Sequence, residues 1–120
     1  EKDAKQLNLD VETITWSGLD KPHYMSDAKP LIIKMIASRR DRKLLGVQIA
    51  GMGEGAKRLD AAASVIFFGG TLDQLADIDF AYAPPYGPPI DPITTCAHIL
   101  TNKLDGLAAG ISAFEAKERI

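Results

Sequence analysis

Residues 79–92 read DFAYAPPYGPPIDP, and their proline content decides what the chain can build around them. Five of the chain's seven prolines fall here, with Tyr82, Tyr86 and Gly87 between them. Each proline fixes φ near −65° and removes an N–H donor, and each residue before a proline is pushed out of the α region. The stretch therefore cannot be a helix or an inner strand. It reads as a stiff, extended strip that loses little entropy on meeting another surface, with Tyr82 and Tyr86 held at defined positions. The plainer reading is a rigid connector between two packed elements.

On the C-terminal side of the strip, Asp91 followed by Pro92 is a helix start, an N-cap with proline at the first helical position. The spacing predicts a helix to about residue 103 that turns Ile93, Cys96, Ala97, Leu100 and Leu104 to one side. Cys96 on that stripe reads as a small buried hydrophobe with a raised pKa rather than a nucleophile. His98 falls off the stripe and reads as solvated. Gly106 closes the helix, and Ser112 with Glu115 forms a capping box for a last helix.

On the N-terminal side, residues 11–16 alternate and are rich in β formers, predicting a strand. Residues 17–30 carry glycine and prolines and predict a loop holding Tyr24. Residues 31–38 and 43–51 predict a hairpin whose tip, RRDRK, has four basic residues of five. That tip reads as a solvated turn. Both hairpin strands carry apolar residues on both faces, which predicts a sheet covered by helices on one side and by a partner or another domain on the other.

Gly51, Gly53 and Ala56 fit G-x-G-x-x-A after a strand and before a helix. The preceding strand belongs to a hairpin rather than a βαβ unit, and Glu54 would set a carboxylate beside a pyrophosphate, so a structural glycine turn is the preferred reading. The following helix, about 55–68, shows an apolar stripe of Leu59, Ala62, Ala63, Ile66 and Phe67, with Lys57, Arg58, Asp60 and Ser64 away from it. Gly69 and Gly70 end it. Thr71 then caps a short helix, with Gln74 completing a capping box and Leu72, Leu75 and Ile78 pointing inward.

Composition bounds the rest. A chain of 120 residues with 46% apolar and 25% charged residues is one soluble globular domain's worth, able to bury roughly 65% of its unfolded surface. The formal net charge of −2 offers no electrostatic reason to bind nucleic acid or an anionic membrane. The apolar runs are too short to span a bilayer, and a cytoplasmic location is expected. One cysteine excludes an internal disulfide or a Cys-x-x-Cys arrangement. Residues 1–7 look like a helix entered in mid-turn, which suggests a piece of a larger protein.

FAYAPPYGPPIDPITTCA resembles the signature of the C-terminal dimerisation domain of FAD-dependent pyridine nucleotide-disulfide oxidoreductases, and is most similar to the branch of coenzyme A-disulfide reductases and NADH oxidases. His23 and Tyr24 followed by Ala28 resemble the aromatic pair of the same domain. The resemblance implies an α+β fold, a small mostly antiparallel sheet packed against helices, with residues 1–106 forming the dimerisation domain and residues 107–120 a linker. ISAFEAKERI, 111–120, is similar to the lead into a rhodanese domain. The resemblance further implies a homodimer with FAD- and NAD-binding domains elsewhere in the parent, a strand at the AYAPP residues, and no cofactor or metal held by this chain alone. Tyr24 and Tyr82 would then act as auxiliary catalytic residues in the partner subunit's active site, and Pro84, Pro85, Tyr86 and Pro92 would lie in the interface. The His-Pro-Thr-x-x-Glu motif of the glutathione reductase and lipoamide dehydrogenase branch surrounds neither His23 nor His98. The isolated chain is expected to be inactive. A reading of a different class is an autonomous module that binds a peptide or ligand on the proline-tyrosine strip with no redox role.

Overall fold

The computed structural model describes residues 6–120, so the reading of residues 1–5 as helix lies outside the described residues. Three strands, β1 (Val11–Leu19), β2 (Pro30–Ser38) and β3 (Leu44–Gly51), form an antiparallel sheet in the order β1-β2-β3. Four helices follow: α1 (Ala56–Phe67), α2 (Leu72–Ala76), α3 (Pro92–Leu104) and α4 (Ala113–Arg119). The α+β architecture is the one expected. Strand β1 runs three residues further than predicted, because Ser17, Gly18 and Leu19 continue the ladder with Ile32, Leu31 and Pro30.

Register sorts the side chains. The rows Trp16–Ile33–Ile49 and Ile14–Met35–Val47 face the helices. Alternate rows carry Thr13, Ile36 and Gly46, then Thr15, Lys34 and Gln48, on the other side. Within the described chain only the first face is covered by helices, with α1 against β3 and α3 against β1 and β2. A register shift at Ile36/Ala37 leaves Leu45 unpaired between Gly46 and Leu44 and partly exposed.

The core is a single cluster. Ile33, Met35 and Ala37 from β2 meet Ala62 of α1, Leu72 and Leu75 of α2, and Ile93, Cys96, Ala97 and Leu100 of α3. The α3 stripe is as predicted, except that Leu104 is only partly buried. Both capping boxes form, at Thr71 with Gln74 and at Ser112 with Glu115. Ile78, by contrast, is 38% exposed and does not point into the core.

Three further expectations change. The AYAPP residues form no strand: the strip runs outside any ladder and turns at Ala83, whose carbonyl accepts from Tyr86 N–H and Gly87 N–H. Consecutive prolines leave too few donors for pairing. Helix α1 is rotated from the predicted stripe, of which only Ala62 is buried: Arg58 is buried beside it, whereas Leu59 and Ile66 are partly exposed and Phe67 is 83% exposed. The hairpin tip is not simply solvated. Arg39 pairs with Glu12 and Asp10, and Arg42 pairs with Asp105 and Asp73, tying the tip to β1 and to the ends of α2 and α3.

Leu100 is completely buried where α3 meets the sheet. Leu100→Ala should lower unfolding free energy by about 2–5 kcal/mol, read as a lower denaturant midpoint with an unchanged slope.

Candidate functional site

Two segments meet at the site. The loop between β1 and β2 carries Tyr24, and the strip between α2 and α3 carries Tyr82 and Tyr86. The loop is pinched at its neck: Asp20 N–H donates to the Lys29 carbonyl at 2.9 Å, and Lys29 N–H donates to Asp20 Oδ1 at 2.7 Å. Inside it Met25 N–H donates to Pro22 O, and Ala28 N–H donates to Met25 O, so the loop is built from consecutive turns. Its tip presents Tyr24, with the His23 ring edge-on at 5.8 Å between centroids.

The strip is anchored at both the turn and its exit. Lys57 Nζ donates to the Tyr86 carbonyl at 2.6 Å. At the exit, the Asp91 carboxylate accepts from Ile93 N–H at 3.0 Å, capping α3, and faces the Arg58 guanidinium. Arg58 Nε lies 3.0 and 3.1 Å from the two Asp91 oxygens. The same guanidinium donates from Nη2 to the Asp20 carbonyl at 2.8 Å and from Nη1 to the Glu54 carbonyl. Arg58 is 1% exposed, so its contacts with Asp91 and the Asp20 carbonyl are made away from water.

Tyr82 lies near enough to Tyr24 to be influenced by it. Partial desolvation, followed by hydrogen bonding and charge interaction with Tyr24, raises the Tyr82 phenol above its ordinary pKa. Both rings still present much of their surface outward, Tyr24 at 64% and Tyr82 at 50%. Tyr86 is exposed beside them, Pro85 is exposed and Pro84 half-buried. Pro92 is a correction. It is fully buried as the first residue of α3, so its side chain has no surface to offer a partner; the ring that suits N1 of the helix also fills the core beneath the cap.

Sequence reasoning missed Arg58, Asp20 and Lys57. The available signal was a second stripe, Arg58–Ala61–Ala62–Val65, in helical phase with the sheet and composed of small residues beside one arginine. A charge on an apolar stripe demands a buried partner, and Asp91 was already legible as a cap.

The glycine motif has a structural reason within the chain. A Cβ on Gly53 would lie 2.8 Å from the Asp20 Cβ, and one on Gly55 2.9 Å from Ile49 Cγ2, so these glycines admit neighbours of the same chain. Gly51, at φ 138°, turns the chain against the Pro30 carbonyl. Glu54 Oε1 accepts from Ala56 N–H, placing a carboxylate where a phosphate would bind. Among the described residues no group of three metal-ligating side chains occurs, and no helix is long and apolar enough to cross a membrane. Cys96 is buried and its thiol is pushed up to about 12, by desolvation first and then by the Asp91 charge. His98 is exposed, as expected.

A three-stranded sheet backed by helices, with a proline strip and a loop presenting exposed tyrosines, defines an α+β domain. The chain belongs to the pyridine nucleotide-disulphide oxidoreductase dimerisation domain family, whose model matches residues 1–91. An NAD(P)H sulfur oxidoreductase (CoA-dependent) of Pyrococcus furiosus is 35% identical over 100 residues, which cover 83% of this chain and 22% of that protein. A coenzyme A disulfide reductase of Staphylococcus epidermidis is 31% identical over 84 residues, covering 70% of this chain and 19% of that protein. Among solved structures, an NAD-dependent persulfide reductase from A. fulgidus superposes with a TM-score of 0.92 at 43% identity, covering 96% of this chain and 22% of that one. The chain thus spans about a fifth of the length of these relatives.

Two outcomes follow from the electrostatics. Native Cys96 should resist iodoacetamide at pH 8 and react fully once the chain is unfolded, because thiolate is scarce below a pKa of about 12 and the sulfur is buried. Burial pushes the Asp20 carboxyl up, but the N–H donors of Lys29 and Glu54 and the charges of Lys21 and Arg58 outweigh it, leaving the pKa below 3.8. A depressed folded pKa contributes stability that is present above 3.8 and lost as pH falls through the folded value. Asp20→Asn should therefore be less stable than wild type at pH 7, with the gap narrowing in unfolding curves taken at successively lower pH.

Proposed function

We propose that this chain is the subunit-joining domain of a homodimeric disulfide oxidoreductase that uses FAD and NAD(P)H and acts on coenzyme A disulfides or persulfides. The observation that carries the reading is the exposure of Tyr24 and Tyr82 on segments far apart in the chain, on a domain of this family. Phenols are neutral at pH 7 and each donates one hydrogen bond, which suits them to stabilise a thiolate leaving group without adding charge.

The names of the relatives support the substrate class: a CoA-dependent sulfur oxidoreductase, a coenzyme A disulfide reductase and a persulfide reductase. The exposed face of α1 supports the assembly. Leu59, Ala63, Ile66 and Phe67 share one side of that helix and look outward, with Phe68 84% exposed beyond its end. Large apolar side chains left uncovered in a row suit a surface closed by a second subunit or a neighbouring domain. The glycines of the turn are accounted for by neighbours in the same chain, which supports assigning FAD and NAD(P)H to other domains of the parent. Residues 107–120 lead away from the core and would join it to a following domain, a rhodanese domain being the candidate.

In the full-length protein, Tyr24→Phe and Tyr82→Phe should each lower turnover of coenzyme A disulfide about tenfold or more while flavin content and dimer mass are retained. Unchanged kinetics in both variants would remove the tyrosines from the mechanism. A monomer in sedimentation of the full-length protein would favour the autonomous binding module.

A further inference from the structure

We infer that Arg58 is a positioning residue that holds the two tyrosine-bearing segments in register, an inference that rests on the proposed role of Tyr24 and Tyr82. The guanidinium reaches both segments at once. Toward the loop, Nη2 donates to the Asp20 carbonyl at 2.8 Å, at the neck that Asp20 and Lys29 close on each other. Toward the strip, Nε faces both oxygens of Asp91, the residue at which the strip ends and α3 begins. A third contact, to the Glu54 carbonyl, fixes the turn before α1, and Glu54 N–H in turn donates to Asp20 Oδ2 at 2.9 Å.

Burial makes the arrangement stiff. With 1% of Arg58 and 7% of Asp91 exposed, water cannot stand in for a lost partner, so the three acceptors must keep their places around one planar group. Gly87 of the strip lies directly against the pair, at van der Waals distance from Arg58 Nη2 and Asp91 Oδ2 for any Cβ placed there. Neither tyrosine is held by secondary structure, and the ladder ends at Leu19 and Pro30, on the near side of Tyr24. The guanidinium thus links the neck of the Tyr24 loop to the exit of the Tyr82 strip.

Lysine at position 58 keeps the charge but reaches fewer of these acceptors at once, so Arg58→Lys tests position rather than charge. Asp91→Asn, which keeps the side chain's shape, is the second variant if Arg58→Lys does not fold. The experiment uses the full-length protein labelled with 3-fluorotyrosine, the Tyr24 and Tyr82 signals being identified by their loss in the Phe variants. In fluorine NMR both signals should move in Arg58→Lys, and the Tyr82 ionisation midpoint should fall, as is also expected in Tyr24→Phe. Leu100→Ala, a core lesion away from the guanidinium, serves as the control for general loosening. Signals that stay in place in Arg58→Lys, or move no more than in Leu100→Ala, overturn the inference whether or not the protein turns over a disulfide.

A kinetic arm separates this from the reading it rests on. With coenzyme A disulfide as substrate, Arg58→Lys should lower kcat about tenfold in the wild-type background and less than about twofold in the Tyr24→Phe, Tyr82→Phe background. Equal losses in both backgrounds would make Arg58 merely structural. No loss from the tyrosine substitutions themselves would sink the tyrosine reading alone, and the resonances would still decide the role of Arg58.

Discussion

A guanidinium with no access to water is a severe constraint on a small domain, and the contact of Arg58 with Asp91 is the one the surrounding structure is arranged to satisfy. Taking either charge out of water costs several kcal/mol, and removing one partner of such a pair costs about 3–5 kcal/mol because the other is left buried alone. The compensation is spread over four parts of the chain. Helix α1 supplies the arginine, α3 its capping carboxylate, the β1–β2 loop a carbonyl, and the turn after β3 another. Asp91 also caps α3, so the same carboxylate that balances Arg58 satisfies a backbone donor that would otherwise be orphaned.

The arrangement explains why α1 lies as it does. Two stripes of opposite character run along that helix, one of Arg58, Ala61, Ala62 and Val65, the other of Leu59, Ala63, Ile66 and Phe67. Hydrophobicity alone would seat the second on the sheet. The sheet instead takes the small residues, which let the helix approach closely enough for Arg58 to reach Asp91 and Asp20, and the larger apolar side chains are left facing out. A domain that places Phe67 and Phe68 in water when alone is shaped for covering by another surface, which agrees with membership of a dimerisation-domain family.

The same economy of space governs the glycines at 51, 53 and 55. Their spacing matches a phosphate-binding turn, yet each is consumed by a neighbour within the chain: the Pro30 carbonyl, the Asp20 side chain and Ile49. These close approaches account for the glycines without a bound phosphate. The turn belongs to the support of the tyrosine loop, since Asp20 is held both by Glu54 N–H and by Lys29 N–H.

Local chemistry was readable in the residues themselves. Proline fixed φ along 79–92, Asp91 with Pro92 started α3, Thr71 with Gln74 and Ser112 with Glu115 closed capping boxes, and the α3 stripe named its own buried face. These follow from interactions within a few residues, where the chain needs no knowledge of its distant parts. The nearness of Tyr82 to Tyr24, the burial of Pro92 and Arg58, and the face that α1 turns to the sheet were decided only in three dimensions. Each depends on partners dozens of residues away, and a charge can override a hydrophobic stripe only once its counter-charge has been brought beside it in the folded chain.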